Sequence, residues 1–395
     1  MNIGVIVDNE FNHDARVRNE CKILAQAGHD VTVLCFNFGK YKTFEKVGNI
    51  NVYRISIKQK IRNIFFAFNN SIELYNIFWS NKIKNFIKKF NIDALHVHDL
   101  YMAKAAHYAT KNTNIKITLD LHENYPAAVK GYQWMYQFPF TYLIRPQKWE
   151  RLEKKYLEYP NNIVVLSESF RNDLLLKYPF LNKKTFAVYP NVPDLEEFKN
   201  YKIDQSMYPK DSDFILFYFG VISQRRGVFT VIDALEKLIK EIPAIKLLLI
   251  GPADKAEKEN FLKTINTPKL KKHITWYSWK DIRLLPSYIN ISDICLSPIV
   301  KNDQHESGVA NKVFQYMIFE RPLIVSDCKP QTKIVNEEQC GLVFKSEDAG
   351  DLAQKIIILY QNKDMRIQMG ENGKKAVEEK YNTKNFGKNL VNLYD

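Results

Sequence analysis

The chain has 395 residues, of which 46% are hydrophobic and 26% are charged, a composition typical of a globular protein rather than a fibrous or disordered one. At about 100–200 residues per domain, this length predicts two domains. A formal net charge of +13 suits a nucleic acid, an anionic membrane surface or a phosphorylated substrate as partner, and equally a chain whose lysines only keep it in solution.

The five cysteines are scattered and form no C-x-x-C pair or other metal-ligand spacing. This predicts reduced thiols in a cytosol and no structural zinc. The apolar run at residues 3–7 has no basic segment before it, so it predicts a first strand rather than a signal peptide. The longest other apolar run, 214–222, is far below the roughly 18 residues of a membrane span. The sequence therefore predicts a cytoplasmic protein that is not integral to a membrane.

The first half of the chain alternates strand and helix patterns. A strand at 3–7 leads to a polar loop at 8–13, a helix at 14–27 that ends at Gly28, and a strand at 31–35. Further strand patterns lie at 93–97, 115–121, 163–166 and 185–189. Such alternation predicts a parallel sheet with helices on both faces.

A second α/β series follows a proline-containing segment. Residues 190–212 carry three prolines among polar and charged residues, which predicts a linker. Strand patterns then lie at 214–219, 245–250, 273–277, 293–297 and 322–326, with a helix at 228–240. The stretch 350–395 predicts polar helices interrupted at Gly370 and Gly373. We therefore predict an N-terminal domain at 1–200, a C-terminal domain at 201–370 and a helical segment at 371–395.

Two loops of the second series predict anion binding, because ligands of open α/β sheets bind beyond the carboxyl ends of the strands. The segment 220–227 contains Arg225 and Arg226 between a strand and a helix, where free N–H groups and guanidinium groups can pair with a diphosphate. A solvated basic turn is the alternative. No G-x-x-x-x-G-K-S/T loop is present, so ATP hydrolysis is not expected. The helix start at 308–311 is the second candidate, with Lys312 adding charge, and an ordinary capped helix is its alternative.

Two polar clusters follow strands of the first series. They are His96-Val97-His98-Asp99 and Asp120-Leu121-His122-Glu123. A histidine at such a position can hydrogen-bond a sugar hydroxyl or exchange a proton. Alternatively, each histidine satisfies a backbone group or caps the next helix. Metal binding by the three histidines is not expected, because they would follow different strands.

The order and spacing of these motifs resemble glycosyltransferase family 4, which has the GT-B fold. The matching positions run over nearly the whole chain: Asp8, Asp14 and Arg16, the two histidine clusters, Pro190-Asn191, the segment 220–227, and Asn-Lys-x-Phe-Gln-Tyr-Met at 311–317 followed by Pro-Leu-Ile-Val-Ser-Asp at 322–327. The resemblance implies two Rossmann-like domains that face each other across a cleft, with C-terminal helices that cross back to the N-terminal domain.

The resemblance also implies a reaction. Family members move a sugar from a nucleotide diphosphate sugar with retention of configuration, and they need no metal ion. The expected co-substrate is a UDP- or GDP-linked sugar, with no further cofactor. The expected acceptor is a hydroxyl of a glycan or lipid-linked glycan in bacterial surface polysaccharide or glycoconjugate synthesis. A hexosyltransferase is therefore expected.

Roles carry over by position. His122 falls where a histidine meets the donor sugar near the reaction centre, and Arg226 where a basic residue binds the donor diphosphate. The other implied donor contacts are Arg225, Lys312, Gly220, Glu306, Ser307, Gly308, the amides of Val309, Ala310 and Asn311, and Gln315 on the ribose. The implied N-terminal side of the cleft comprises Asn9, Asp14, His98, Asp99 and Glu123.

Three positions depart from the family pattern. Gln315 and Ser307 stand where the family has a pair of glutamates, with Glu306 one residue off, and Val221 replaces a frequent arginine. An amide is a weaker ribose partner than a carboxylate. The departures at Gln315 and Ser307 leave open a non-catalytic GT-B partner of a true transferase. Another GT-B enzyme, either a UDP-sugar epimerase or a phosphorylase, is a further alternative because it shares the fold.

Residues 58–90 contain seven basic residues and one acidic residue, interleaved with aromatic residues. This mixture predicts a segment that rests on an anionic leaflet, and so peripheral contact with the inner face of the plasma membrane. The alternative is that the aromatic residues fill the core. A second aromatic stretch, 132–149, is expected beside the acceptor. Nucleic-acid binding is not expected, because the sequence matches no RNA-binding module.

Overall fold

The computed structural model describes residues 1–69, 73–131, 147–204 and 213–395. The chain divides into two compact units, the first comprising Met1–Pro190 with Thr383–Asp395 and the second comprising Asn191–Asn382. Residues 191–200 and 371–382 thus group with the second unit, outside the domain limits expected for it. One reason is that the Phe198 ring packs against Phe319 of the second unit, with centroids 6.2 Å apart.

The first unit is built on a sheet that is parallel except at one edge. Within the described residues, its strand order is β3-β4-β2-β1-β5-β6-β7-β8, and β3 pairs antiparallel with β4. The interior strands are mostly apolar and buried because helices cover both faces, although β5 also carries the buried His96 and His98. The strands are β1 (Asn2–Ile6), β2 (Asp30–Asn37), β3 (Phe44–Val47), β4 (Ile50–Ser56), β5 (Ala94–His98), β6 (Lys116–Asp120), β7 (Asn162–Val165) and β8 (Thr185–Val188).

The helices of this unit pack an aromatic core against the sheet. Tyr75, Trp79, Phe86 and Trp149 are buried in it. Of the predicted aromatic stretch 132–149, residues 132–146 lie outside the described part of the chain. The helices before residue 190 are α1 (Ala15–Gln26), α2 (Gln59–Ala67), α3 (Leu74–Phe90), α4 (Ala103–Thr110), α5 (Tyr125–Lys130), α6 (Lys148–Tyr156) and α7 (Glu168–Lys177).

The second unit is a parallel sheet with strand order β11-β10-β9-β12-β13-β14 within the described residues. Its strands are β9 (Phe214–Phe219), β10 (Ile245–Ile250), β11 (Ile274–Tyr277), β12 (Ile294–Ser297), β13 (Leu323–Ser326) and β14 (Gly341–Phe344). Its helices are α8 (Leu195–Lys199), α9 (Val228–Leu238), α10 (Lys258–Ile265), α11 (Leu285–Asn290), α12 (Asn311–Ile318), α13 (Lys329–Glu338), α14 (Ala349–Gln361) and α15 (Lys363–Glu379).

The predicted interruption at Gly370 and Gly373 is wrong, because α15 runs through both positions. A Cβ atom at Gly370 would lie 2.2 Å from the carbonyl oxygen of Glu320, and one at Gly373 would lie 3.3 Å from Met317. These glycines let α15 pack closely against the end of α12. That packing offsets the roughly 1 kcal/mol by which glycine is less favourable than alanine in a helix.

The C-terminal helix α16 (Thr383–Val391) belongs to the first unit. It packs against α1 and β8, and Asn389 Nδ2 donates to the Val188 carbonyl at 3.3 Å. Gly387 permits this contact, since a Cβ atom there would lie 2.9 Å from the Ile23 side chain. The return of the chain to the first domain, expected from the resemblance, is therefore present.

Candidate active site

Polar side chains converge at the carboxyl ends of three neighbouring strands of the first unit. Strand β5 lies between β1 and β6, and all three are parallel. Asp8 follows β1, Asp99 follows β5, and His122 follows β6. Because parallel strands end at the same edge of a sheet, residues far apart in sequence meet here.

Asp120, the last residue of β6, is the buried anion of this site. Arg16 of α1 binds it in a bidentate manner, with Nε donating to Oδ2 at 2.8 Å and Nη2 to Oδ1 at 2.7 Å. Burial alone would raise the pKa of the carboxyl group, but Arg16 and His122 hold it well below its usual range. Asp120 is therefore ionised and compensates two cations.

His122 lies between two carboxylates. Its Nε2 atom is 2.9 Å from Asp120 Oδ2, and its Nδ1 atom is 3.7 Å from Asp99 Oδ1. Burial would lower the pKa of the imidazole, but Asp99 and Asp120 raise it to about 10. The side chain is 19% exposed, so a substrate can reach it. His122 is thus an imidazolium at neutral pH, which can donate a hydrogen bond to an oxygen but cannot accept a proton from one.

Asp99 is held in a conformation that non-glycine residues rarely adopt. Its φ angle is +71°, and such backbone strain costs about 1–3 kcal/mol and clusters at functional sites. The Tyr101 hydroxyl contacts Asp99 Oδ2 at 2.9 Å and Asp8 Oδ1 at 2.8 Å. Burial raises the pKa of Asp99 to about 6. Asp8 also accepts hydrogen bonds from Tyr75 and from Arg62 Nη2, the latter at 3.0 Å.

The residues predicted to line the N-terminal side of the cleft differ in their burial and in their contacts. Asp99 lies 3.7 Å from His122 in the fold, Glu123 follows His122 in the sequence, and both are partly exposed. His98 is fully buried, with Nδ1 2.8 Å from His122 Nε2, so it supports His122 and cannot itself touch a substrate. Asp14 caps α1 by accepting from Val17 N at 3.1 Å. The Asn9 side chain accepts from the next amide, that of Glu10, at 2.9 Å.

Several residues of the site were not singled out from the sequence. Arg16 belonged to the N-terminal motif, but no role was assigned to it. Tyr75 and Tyr101 carry no motif, and their positions in apolar helical stretches gave no signal beyond core packing. Only the fold brings their hydroxyl groups to Asp8.

A second group of polar side chains lies behind His122. The candidate ligand atoms of Glu20, His96, His98 and Asp120 all lie within 4.8 Å of one another. His96 and His98 share one face of β5, so the expectation that the three histidines follow different strands is wrong for this pair. Arg16 ion-pairs with both carboxylates of this group and His122 pairs with Asp120, so two cations already face the two negative charges. The absence of a metal ion stays a prediction.

In the second unit, two glycines of the loop after β9 lie close to neighbouring atoms, one to backbone and the other to the Lys312 side chain. A Cβ atom at Gly227, whose φ angle is +74°, would lie 1.7 Å from the Pro298 carbonyl oxygen. Gly220 has a φ angle of +138°, and a Cβ atom there would lie 2.9 Å from Lys312 Nζ. Just before α9, Arg225 Nη1 donates to Gln304 Oε1 at 3.4 Å, and the charge of Arg226 acts on Lys312 at the start of α12.

Lys312 is a buried cation on the first turn of α12. It is 9% exposed, and its Nζ atom lies 3.8 Å from the centroid of the Tyr218 ring. Burial, and then the charge of Arg226, lower its pKa well below the usual range. Over residues 1–69, 73–131, 147–204 and 213–395, Lys312 Nζ has neither a hydrogen-bond acceptor nor an ion-pair partner. An anion bound here would satisfy it.

The backbone around Lys312 adds donors. Ala310 is the N-cap of α12 and offers no side-chain acceptor. In the described part of the chain, the N–H groups of Asn311 and Lys312 have no acceptor. A helix N-terminus with open N–H groups attracts anions. Gly308, which has an extended backbone, and the buried Val309 lead into this turn.

Glu306 and Ser307, at or beside the first position of the family's glutamate pair, both form hydrogen bonds within the second unit. Both carboxylate oxygens of Glu306 accept from the amide of Lys329, at 3.3 and 3.4 Å, so Glu306 lies at the N-terminus of α13. Ser307 Oγ donates to the Gln304 carbonyl at 2.6 Å. Gln315 is partly exposed and lies one helical turn after Lys312, on the same side of α12. Of these three, Gln315 is the residue best placed beside an anion at Lys312.

Models of two glycosyltransferase families match the two parts of the chain. The model described as "Glycosyltransferase Family 4" matches residues 15–197, and the model described as "Glycosyl transferases group 1" matches residues 201–376. The chain belongs to glycosyltransferase family 4. It is accordingly a glycosyltransferase, as the order of its motifs predicted.

Relatives and solved structures agree with this assignment. The glycosyltransferase is 21% identical over 378 residues to an uncharacterized glycosyltransferase of Methanocaldococcus jannaschii, covering 93% of this chain and 90% of the other. It is 21% identical to a capsular polysaccharide biosynthesis glycosyltransferase of Staphylococcus aureus, over 62% of this chain and 64% of that protein. Both identities are low, so they do not transfer a substrate.

The solved structures establish the fold. Sucrose-phosphate synthase from Thermosynechococcus elongatus superposes with a TM-score of 0.77 at 17% identity, covering 100% of this chain and 98% of the other. Anabaena HepE, in complex with UDP and glucose, superposes with a TM-score of 0.73 at 13% identity, covering 100% and 99%. The predicted GT-B fold is confirmed as two α/β units with parallel sheets. No helix in the described residues is long and apolar enough to cross a bilayer.

The charge state of His122 in this glycosyltransferase can be measured directly. We expect its two ring nitrogens to keep imidazolium chemical shifts from pH 6 to about pH 9, since its pKa is about 10. Because the folded pKa lies above the unfolded value of about 6.5, this group stabilises the fold fully below that pH, and the contribution disappears as the pH rises through about 10. Imidazole ¹⁵N spectra of the histidine-labelled protein test this. His29, whose pKa is lowered by burial and by the N-terminal charge, is the internal control, and a neutral His122 at pH 8 would contradict the assignment.

Proposed function

We propose that this glycosyltransferase moves a hexosyl group from a UDP- or GDP-linked sugar to a hydroxyl of a glycan or lipid-linked glycan, with retention, in bacterial surface polysaccharide or glycoconjugate synthesis. The observation that carries the proposal is the buried ammonium group of Lys312, which has no anionic partner in the described part of the chain and lies beside open helix amides. Burying an unpaired cation is costly, so the position is best explained by an anion that arrives with the substrate.

A nucleoside diphosphate fits this position. Lys312, Arg226 and the amides of Asn311 and Lys312 would pair with its phosphate oxygens through charge-assisted hydrogen bonds. Negative charge grows on the diphosphate as it leaves the sugar, and one preorganised donor aimed at such charge contributes roughly 3–4 kcal/mol to a transition state. Gln315 would bind the ribose. The structure of HepE with UDP and glucose supports a donor of this class.

At the reacting end, His122 would donate a hydrogen bond to the transferred sugar. As an imidazolium it cannot remove the acceptor proton, so we propose that a phosphate oxygen of the leaving diphosphate takes that proton. The bond from the anomeric carbon to the diphosphate breaks, the bond to the acceptor oxygen forms on the same face, and retention results. Asp99, partly exposed and next to His122, would orient the acceptor hydroxyl.

The test is a screen of UDP- and GDP-sugars that reads both thermal stability and release of the nucleoside diphosphate. A bound donor stabilises the protein by mass action, and slow donor hydrolysis without acceptor is expected. Stabilisation without any turnover would favour the non-catalytic partner. Interconversion of sugars with the nucleotide retained would favour an epimerase. No stabilisation by any nucleotide sugar or nucleoside diphosphate would overturn the proposal.

For the acceptor side, we propose contact with an anionic membrane through the α2–α3 surface. Its exposed apolar residues are Ile61, Ile64, Phe65, Leu74 and Ile77. Its exposed basic residues are Lys58, Lys60, Lys82, Lys84, Lys88 and Lys89. Most of the aromatic residues of 58–90 pack inward, so the core alternative accounts for them and the outward apolar contacts are chiefly aliphatic. Exposed apolar groups surrounded by lysines favour the interface of an anionic leaflet.

Charge reversal tests this surface. We expect the change of Lys82, Lys84, Lys88 and Lys89 to glutamate to release the protein from vesicles of phosphatidylserine and phosphatidylcholine, because each lysine near the surface contributes on the order of 1 kcal/mol. Co-sedimentation at low and high salt gives the bound fraction.

The matched control reverses four exposed lysines of the second unit, Lys255, Lys258, Lys263 and Lys271, and should leave binding nearly unchanged. If the unaltered protein sediments equally with anionic and neutral vesicles, or with neither, the proposal of a membrane-bound acceptor is wrong and a soluble acceptor is proposed instead.

A further inference from the structure

A series of buried polar contacts leads from the C-terminal segment towards His122. The Tyr394 hydroxyl lies 2.6 Å from His96 Nδ1. His96 Nε2 lies 2.8 Å from Glu20 Oε2. All three residues belong to the first unit, and none is more than 7% exposed.

The same series of contacts continues through α1 to the edge of the sheet. Glu20 Oε1 forms an ion pair with Arg16 Nε at 3.0 Å. Arg16 also donates two hydrogen bonds to Asp120, and Asp120 Oδ2 contacts His122 Nε2 at 2.9 Å. Arg16 and Glu20 are one helical turn apart on α1, so a single helix holds the middle of this series of contacts.

For a neutral His96, hydrogen-bonding rules give the direction of the first two contacts. Glu20 is bound by Arg16 as a carboxylate, which only accepts, so the single ring proton of His96 resides on Nε2. His96 Nδ1 then carries a lone pair, and the Tyr394 hydroxyl is its donor. Tyr394 therefore selects the tautomer in which His96 donates to Glu20.

We propose that Tyr394 is a positioning residue for His122 and acts on it through His96, Glu20, Arg16 and Asp120. The part of this inference that concerns turnover rests on the proposed function, whereas the part that concerns the imidazole of His122 does not. Tyr394 touches none of the groups we assign to the substrate site, so its effect on the reaction would be indirect.

The physical consequence of losing the hydroxyl follows from the same contacts. Without a donor, His96 Nδ1 becomes a buried acceptor with no partner, which is unfavourable. The ring can relieve this by moving its proton to Nδ1, but Nε2 then presents a lone pair to the Glu20 carboxylate. Glu20 would turn towards Arg16 and compete with Asp120 for the guanidinium group. The hydrogen bond that orients His122 would change with it.

The experiment compares Tyr394→Phe with Tyr178→Phe. Both tyrosines are 7% exposed, and each hydroxyl makes a buried polar contact, that of Tyr178 donating to Glu153 Oε2 at 2.7 Å. With eight histidines in the chain, imidazole ¹⁵N spectra can be assigned by single substitutions. We expect Tyr394→Phe to shift the ring signals of both His96 and His122, and Tyr178→Phe to shift neither.

Turnover is the second readout. With the donor identified by the nucleotide-sugar screen, Tyr394→Phe should lower kcat by about ten-fold, the scale of a small misplacement at a reacting group, and leave KM for the donor within about two-fold. Tyr178→Phe should lower the melting temperature by a similar amount with kcat unchanged. A shift of the His96 signals alone, with His122 unmoved, would overturn the inference whether or not a donor is found.

Glu20→Gln provides a second route to the same test. It keeps the size of the side chain but removes the charge that binds Arg16, one step nearer to His122. We expect it to shift the His122 signals as well. Glu20→Gln keeps the inference testable if Tyr394→Phe does not fold. Unchanged His122 signals in Glu20→Gln would contradict coupling along the series of contacts.

Discussion

Replacing Lys312 with methionine is expected to weaken binding of UDP or GDP by about 10- to 100-fold, the worth of one hydrogen bond to a charged group. Methionine fills a similar volume, so the loss reports the ammonium group rather than a cavity. Burial and the charge of Arg226 lower the pKa of Lys312 well below the usual range, so its charged form is unfavourable in the free protein and the change removes that cost. The melting temperature without nucleotide should therefore be equal or higher, while the increase caused by nucleotide largely disappears.

Titration calorimetry and thermal shift measure both effects on one sample. Lys263→Met is the control, since Lys263 is exposed on α10 of the same unit and should leave nucleotide affinity unchanged. A variant that binds the diphosphate as tightly as the unaltered protein would remove Lys312 from the donor site. A marked loss of stability without nucleotide would instead show that the ammonium group has an internal partner.

Replacing Asp120 with asparagine is expected to destabilise the first unit by about 3–5 kcal/mol, the usual cost of removing one partner from a buried ion pair. Asp120 is fully buried and compensates both Arg16 and His122. Its removal leaves Arg16 with Glu20 and His122 with Asp99 as the remaining carboxylates, and should lower the pKa of His122. Transfer should fall sharply as well, since the imidazole loses the acceptor that orients it.

Hydrogen exchange of peptides from β5 and β6 gives the free energy of unfolding for the first unit alone. Glu150→Gln serves as the matched control, because Glu150 forms an exposed ion pair with Lys130 in the same unit and its loss should change stability by less than about 1 kcal/mol. Similar exchange rates in both variants would mean that Arg16 and His122 find other partners.

Much of the fold followed from patterns local to the chain. The strands that are apolar along their length and the helices between them were readable because burial on both faces of a parallel sheet leaves a continuous signal. The antiparallel pair β3 and β4 left a weaker pattern. The glycines of α15 led to a wrong prediction, because glycine breaks a helix by intrinsic propensity. In the structure, the close approach of the Glu320 backbone requires glycine at position 370.

The amino-acid sequence established the class of protein and predicted the loops of the site, because the motifs stand next to strand ends in a fixed order. The contacts and burial of those residues became visible only in the fold. His98 and His122 have nearly the same local context, yet the first is buried and the second is a partly exposed imidazolium, since the sheet places His122 between Asp99 and Asp120. Tyr101 and Tyr394 lie outside any motif, and Arg16 lies in a motif that assigns it no role. Their contacts join residues up to 298 positions apart in the sequence. Charge and hydrogen bonding depend on distance in space, which a local pattern does not record.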